Sequence, residues 1–194
     1  VSLLRINLSH TSIEDLPKHI QYIKKITSIP ICIDSEGAQI RTGKMHNGTA
    51  CLVEGGLLKI NRQPVAGNSK HISFYPEESI DLVQIYDLIS IDFNTALIQV
   101  VEKKSDYLIA KVITEGSIGS NKAVSVNRQI RMNPLTRKDE ESIKIAVGFG
   151  VKHFALSFAN HLEDVQAIRH QTPKNSFIIS KIESREGIRN LEAI

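Results

Sequence analysis

Hydrophobic and polar positions fall into two textures along this chain. From Val1 to Leu8 they alternate at the period of a strand, with Arg5, Asn7 and Ser9 on one face and Ile6 and Leu8 on the other. Ile13, Leu16, Ile20, Ile23 and Ile26 then recur at the spacing of a one-sided helix, with Thr11 or Ser12 as its cap and Glu14 and Asp15 in its first turn. Pro17 sits early enough in that helix to be tolerated. After Pro30, Ile31-Cys32-Ile33 predicts a second short buried strand that runs into Asp34-Ser35-Glu36-Gly37. Strand, helix and strand make a βαβ unit, whose handed crossover leaves both polar strand ends on one side of a parallel sheet.

Between Gln39 and Asn127 the texture changes to short alternating runs, Ala50 to Val53, Leu88 to Ile91, Leu97 to Val101 and Tyr107 to Ile113, separated by turn-forming clusters. Helical stripes are scarce there, so 39–127 reads as a small all-β domain inserted into an α/β domain formed by 1–38 and 128–194. The helical period returns after Thr136, a cap for a helix with Ile143, Ala146 and Val147 on its apolar face. Phe154 to Phe158 predicts a strand, Leu162, Val165 and Ile168 a helix, and Arg185 to Ile194 a last helix. Outside the insert the pattern holds roughly four strand–helix units, about half of a complete (β/α)₈ barrel. The expected fold class is therefore α/β, a partial (β/α)₈ TIM barrel with an inserted small β-barrel domain, and the chain reads as a portion of a longer polypeptide.

Asn175 to Ile182 is expected to be a strand with both faces covered, in which alternation points Lys181 and Glu183 the same way. An ammonium beside a carboxylate at a strand end suits phosphate and metal chemistry, since the amine offsets charge on a transferring oxygen and the carboxylate holds a hard cation. A salt-bridged pair where a strand meets solvent explains the same pattern without any function.

Composition narrows the partners. The 194 residues are 41% hydrophobic and 23% charged with a formal net charge of +3, and the basic residues are spread out, which argues against a nucleic-acid surface. No apolar run is long enough to span a bilayer and no signal-peptide pattern opens the chain, so the expected location is cytoplasmic. Cys32 and Cys51 stand in no metal-binding spacing and read as reduced structural thiols.

Five stretches in order then carry a resemblance: Leu4-Arg5-Ile6-Asn7-Leu8-Ser9-His10, Ile33-Asp34-Ser35-Glu36-Gly37-Ala38-Gln39-Ile40-Arg41-Thr42-Gly43, Gly116-Ser117-Ile118-Gly119-Ser120-Asn121-Lys122, Leu156-Ser157-Phe158, and Ile179-Ser180-Lys181-Ile182-Glu183 with Glu186-Gly187. Together, and with a β insert at the matching junctions, they resemble the pyruvate kinase family across essentially the whole chain. The resemblance implies a phosphotransferase of glycolysis that passes the phosphoryl group of phosphoenolpyruvate to ADP, giving pyruvate and ATP, with Mg²⁺ and K⁺ as cofactors and a homo-oligomer as the complete protein. It implies that Arg5 contacts the substrate phosphate, that Lys181 stabilises charge on the enolate and the transferring group, and that Glu183 is a carboxylate ligand of Mg²⁺. Asn7, Ser9, Asp34 and Ser35 would surround K⁺, and Asn7, His10, Arg41 and Lys122 would meet the nucleotide.

The chain departs from the family at informative places. Glu36 stands where the family has Lys, and if directed at the nucleotide it would weaken polyphosphate binding. Asp92-Phe93-Asn94 replaces the usual Asp-Asp-Gly at the lid edge. A catalytically inactive binding or regulatory protein of the same family is the alternative expectation, and a metal- and lysine-dependent lyase acting on pyruvate is a third.

Overall fold

Buried runs of Ile, Leu and Phe decide where the strands lie in this computed structural model, which describes residues 1–194. Two compact units result, Val1–Ala38 with Asn133–Ile194, and Gln39–Met132. The first unit opens with β1 (Leu4–Asn7), a 3₁₀ turn over Leu8–His10, α1 (Leu16–Ile26) and β2 (Ile31–Asp34). The chain then builds the second unit from β3 (Ile40–Thr42), β4 (Thr49–Leu52), β5 (Leu57–Asn61), β6 (His71–Tyr75), α2 (Ser79–Leu82), β7 (Leu88–Ile91), β8 (Ala96–Lys103), β9 (Tyr107–Thr114), β10 (Gly116–Gly119) and β11 (Ala123–Val126). It returns to the first unit with α3 (Arg137–Gly148), β12 (His153–Leu156), α4 (Leu162–Gln171), β13 (Phe177–Ser180) and α5 (Arg185–Arg189).

The first unit holds a four-stranded sheet in the order β1-β2-β12-β13, with every neighbouring pair parallel. All four residues of β2 are buried, as expected for an inner strand with both faces covered. Leu16 and Ile20 of α1, Ile143 and Ala146 of α3 and Ile168 of α4 pack with Ile33, Phe154 and Leu156 of the strands in one core. The Thr136 cap is realised as a capping box: the Thr136 hydroxyl accepts from the Asp139 N–H at 3.0 Å and the Asp139 carboxylate accepts from the Thr136 N–H at 3.0 Å. Helix α1 starts later than its sequence signals, at Leu16, because Ser12 caps a preceding turn by accepting from the Asp15 N–H at 3.1 Å. Pro17 lies in the first helical turn, as anticipated.

The second unit is a closed seven-stranded barrel, β11-β3-β6-β5-β9-β8-β7, with β4 and β10 as a separate two-stranded ribbon. Alternation explains it: Ile89 and Ile91 of β7, Ile98 and Val100 of β8, and Leu108 and Ala110 of β9 point inward while their neighbours face out.

The last strand corrects the sequence reading. It ends at Ser180, and Phe177 and Ile179, alternate residues on one face of the sheet, are 64% and 42% exposed, so that face is not covered there. The last helix is also shorter than expected, closing at Arg189.

Gly37 follows the polar end of β2 and is held at φ +71°, where an added Cβ would lie 2.4 Å from the Ser157 carbonyl oxygen. Gly48 has a similar φ of +80° with open space around it. Gly48→Ala is expected to lose about 1 kcal/mol from the left-handed backbone alone, and Gly37→Ala roughly 3 kcal/mol or more, because the backbone of the neighbouring strand end must also move. Denaturation of the two variants in parallel checks this ordering.

Candidate anion and cation site

The polar strand ends of the first unit converge on Asp34, the last residue of β2, which is 1% exposed. Arg5 Nη1 lies 3.2 Å from its Oδ2 and Lys181 Nζ lies 3.0 Å from its Oδ1. The Ser157 hydroxyl donates to Oδ1 at 3.3 Å, while Oδ2 accepts no hydrogen bond. Lys181 also reaches Glu183, with Nζ 3.4 Å from Oε1. Two cations and two carboxylates thus alternate around one buried oxygen pair, so the cluster is neutral in sum.

The backbone explains how these side chains meet. Lys181 and Glu183 lie just beyond β13, so strand alternation does not align them. Instead the Lys181 N–H donates to Leu156 O at 2.9 Å, its carbonyl accepts from the Ala159 N–H at 3.1 Å, and the Phe158 N–H donates to Glu183 Oε2 at 3.1 Å. Phe158 adopts φ +53°, the left-handed conformation that turns its amide toward that carboxylate.

Four oxygen-bearing side chains surround the same strand ends. Asn7 pairs in register with Asp34, and its Oδ1 accepts from the Ser9 N–H at 2.9 Å. Ser35 Oγ accepts from the Ser157 N–H at 2.9 Å, and the Ser157 hydroxyl also donates to Ser35 O. The side chains of Asn7, Ser9, Asp34 and Ser35 all offer oxygen, the donor a hard monovalent cation takes, with Asp34 Oδ2 already facing the Arg5 guanidinium. No group of three or more His, Cys, Asp or Glu is gathered, and Glu183 is a carboxylate beside Lys181 that could give one oxygen ligand to a divalent ion.

Glu36 is taken up by partners within its own unit. It is buried, with Oε1 2.9 Å from Lys138 Nζ and Oε2 accepting from the Thr136 hydroxyl at 3.3 Å. Its reversed charge is matched locally by Lys138. His10 is exposed at the end of the 3₁₀ turn. Arg41 and Lys122 belong to the second unit, where Arg41 Nη1 donates to Asn121 O at 3.3 Å and Lys122 pairs with Asp92 at 3.1 Å. An open cavity of about 540 Å³ in that unit, beside Phe74 and Tyr75, is lined by neither of these cations. Sequence reasoning missed Ser157, Lys138 and Asp139, the last of which was legible only as a helix-cap partner.

A family profile described as "Pyruvate kinase, barrel domain" matches residues 1–194. The chain belongs to the pyruvate kinase family. It is 29% identical over 206 residues to a pyruvate kinase of Sporosarcina psychrophila and 29% identical over 199 residues to one of Thermoplasma acidophilum, covering all of this chain and 35% of each relative. It is 30% identical over 200 residues to the pyruvate kinase of Borreliella burgdorferi, of which it covers 42%. The chain therefore spans 35 to 42% of the length of these pyruvate kinases. No helix is long and apolar enough to cross a membrane.

Next to the Asp34 cluster, burial first and then the Asp34 charge push the Cys32 thiol up to about 11, whereas Cys51 is exposed. Alkylation of the native protein at pH 8 is expected to modify Cys51 and spare Cys32, as read by peptide mass spectrometry. Asp34→Ala leaves Lys181 without its buried partner while Arg5, 60% exposed, is rehydrated. A loss of roughly 2–4 kcal/mol is expected from the thermal or denaturant midpoint, below the full value for a fully buried pair because of that exposure.

Proposed function

We propose that the protein is a pyruvate kinase, moving the phosphoryl group of phosphoenolpyruvate to ADP, with this chain supplying the phosphate- and enolate-facing part of the site. The observation that carries the reading is the convergence of Arg5 of β1 and Lys181, just after β13, on Asp34 at the end of β2 in one parallel sheet. In this reading the sheet β1-β2-β12-β13 is half of a (β/α)₈ barrel, whose remaining strands lie in the part of the relatives that the chain does not cover. Residues 39–127 would then act as a lid.

The chemistry asks mainly for placement and charge neutralisation. In-line transfer breaks the bond between phosphorus and the enol oxygen and forms one to a β-phosphate oxygen of ADP, with negative charge left on the enolate. Lys181, fixed by Leu156 O and Ala159 N–H through its own backbone, holds an ammonium at a defined point for that enolate. Arg5 binds the substrate phosphate, its exposed guanidinium retaining free donors beyond the Asp34 pair. Asn7, Ser9, Asp34 and Ser35 would hold K⁺, and Asn7, His10, Arg41 and Lys122 would meet the nucleotide. Glu183 would hold Mg²⁺, which when bound offsets charge on the phosphoryl oxygens.

A binding role without turnover is favoured by one observation, the pairing of Lys122 with Asp92, which occupies a cation that the nucleotide would need. One assay separates the two. The full-length polypeptide with phosphoenolpyruvate, ADP, Mg²⁺ and K⁺ is expected to turn over, and Lys181→Met to lower kcat by about 10³-fold or more. An inert wild type, or a Lys181→Met variant of equal rate, overturns the catalytic reading.

A further inference from the structure

The first turn of α3 touches both backbone segments that carry the candidate cation donors. Lys138 Nζ donates to Leu8 O, in the 3₁₀ turn between Asn7 and Ser9, and also pairs with Glu36 Oε1 at 2.9 Å. Asp139, 0% exposed, accepts from the Glu36 N–H at 2.7 Å and the Gly37 N–H at 3.1 Å through its two carboxylate oxygens. Burial pushes the Asp139 carboxyl up, and the backbone N–H groups of Thr136, Glu36 and Gly37 pull the other way by favouring its charged form. The Thr136 hydroxyl completes the contact at Glu36 Oε2.

These bonds do different things. The capping box needs Thr136 and Asp139 and nothing more. Lys138 is not required for it, yet its ammonium joins two loops that have no strand pairing beyond Asn7 and Asp34. Asn7 and Asp34 are placed by the pairing of β1 with β2, Ser9 lies in the 3₁₀ turn and Ser35 just after β2, and a cation among them would draw the two following loops together. A loose separation between the loops would lose affinity, because an inward-pulling ion has to order them on binding.

We infer that Lys138, with Glu36 as its counter-charge, is a positioning residue that sets the spacing of the two oxygen-donor loops and thereby the affinity of the site for a monovalent cation. The inference rests on the reading of Asn7, Ser9, Asp34 and Ser35 as a K⁺ cradle. It gives the reversed charge at Glu36 a role: this chain keeps its loop spacing through an internal ion pair.

The test is equilibrium binding of K⁺ by calorimetry to the full-length polypeptide without substrates, using wild type, Lys138→Met, Lys138→Arg and Glu36→Gln, with Na⁺ as the comparison ion. Wild type is expected to bind K⁺ in preference to Na⁺, Lys138→Met to bind roughly 10-fold or more weakly, Glu36→Gln to weaken in the same direction, and Lys138→Arg to stay within about 3-fold of wild type. A purely structural role would lower the melting temperature of Lys138→Met and leave K⁺ affinity of the folded protein as in wild type, which overturns the inference while the cradle stands. A wild type that does not distinguish K⁺ from Na⁺ overturns the cradle and the inference together. Should Lys138→Met not fold, Glu36→Gln decides by the same criterion.

Discussion

One buried carboxylate organises the first unit. Asp34 closes the inner strand of a parallel sheet, where a lone charge would be costly, and it is tolerated because Arg5, Lys181 and Ser157 converge on it. Each partner comes from a different strand or the residue just after one, so Asp34 records in one place the parallel pairing of β1 with β2 and of β12 with its two neighbours. The price of burying it is that the surrounding loops must be held with little freedom. Gly37 packs on the Ser157 carbonyl, Ser35 and Ser157 bond one another, and Asp139 takes the amides of Glu36 and Gly37.

That arrangement suits a reaction in which the protein orders anions more than it makes bonds. Lys181 is shared between Asp34 and Glu183 and so is fixed without being fully neutralised by either. Arg5 projects from the sheet edge strand β1 with most of its side chain exposed, in a position to bind a phosphate without breaking the Asp34 contact. Oxygen donors from two loops lie around the same carboxylate. The second unit is a barrel with its own core, and its cations Arg41 and Lys122 are held by contacts inside that unit.

Much of the fold was legible in the sequence because local pattern and tertiary burial agree. Ile31-Cys32-Ile33 is apolar and wholly buried, the inserted strands alternate, and Thr136 with Asp139 forms the cap that its spacing suggests. What was not legible depends on sheet order. Lys181 reaches Asp34 across β12, which lies between β13 and β2 and is followed by the small residue Ser157, a fact no local window contains. The exposure of Phe177 and Ile179 depends on whether anything covers their face of the sheet, which an apolar run cannot reveal. The partner of Glu36, Lys138, lies 102 residues away in the chain, so the pairing is absent from any local window.

The account depends on Asp34 and Lys181 acting as a unit, and a double-mutant cycle on kcat/KM for phosphoenolpyruvate tests that most directly. With Asp34→Asn, Lys181→Met and the double variant, the account predicts strong non-additivity: once Lys181 is gone, removing the Asp34 charge costs little further. Losses that add within about 0.5 kcal/mol would show that the two side chains act independently, and would contradict it.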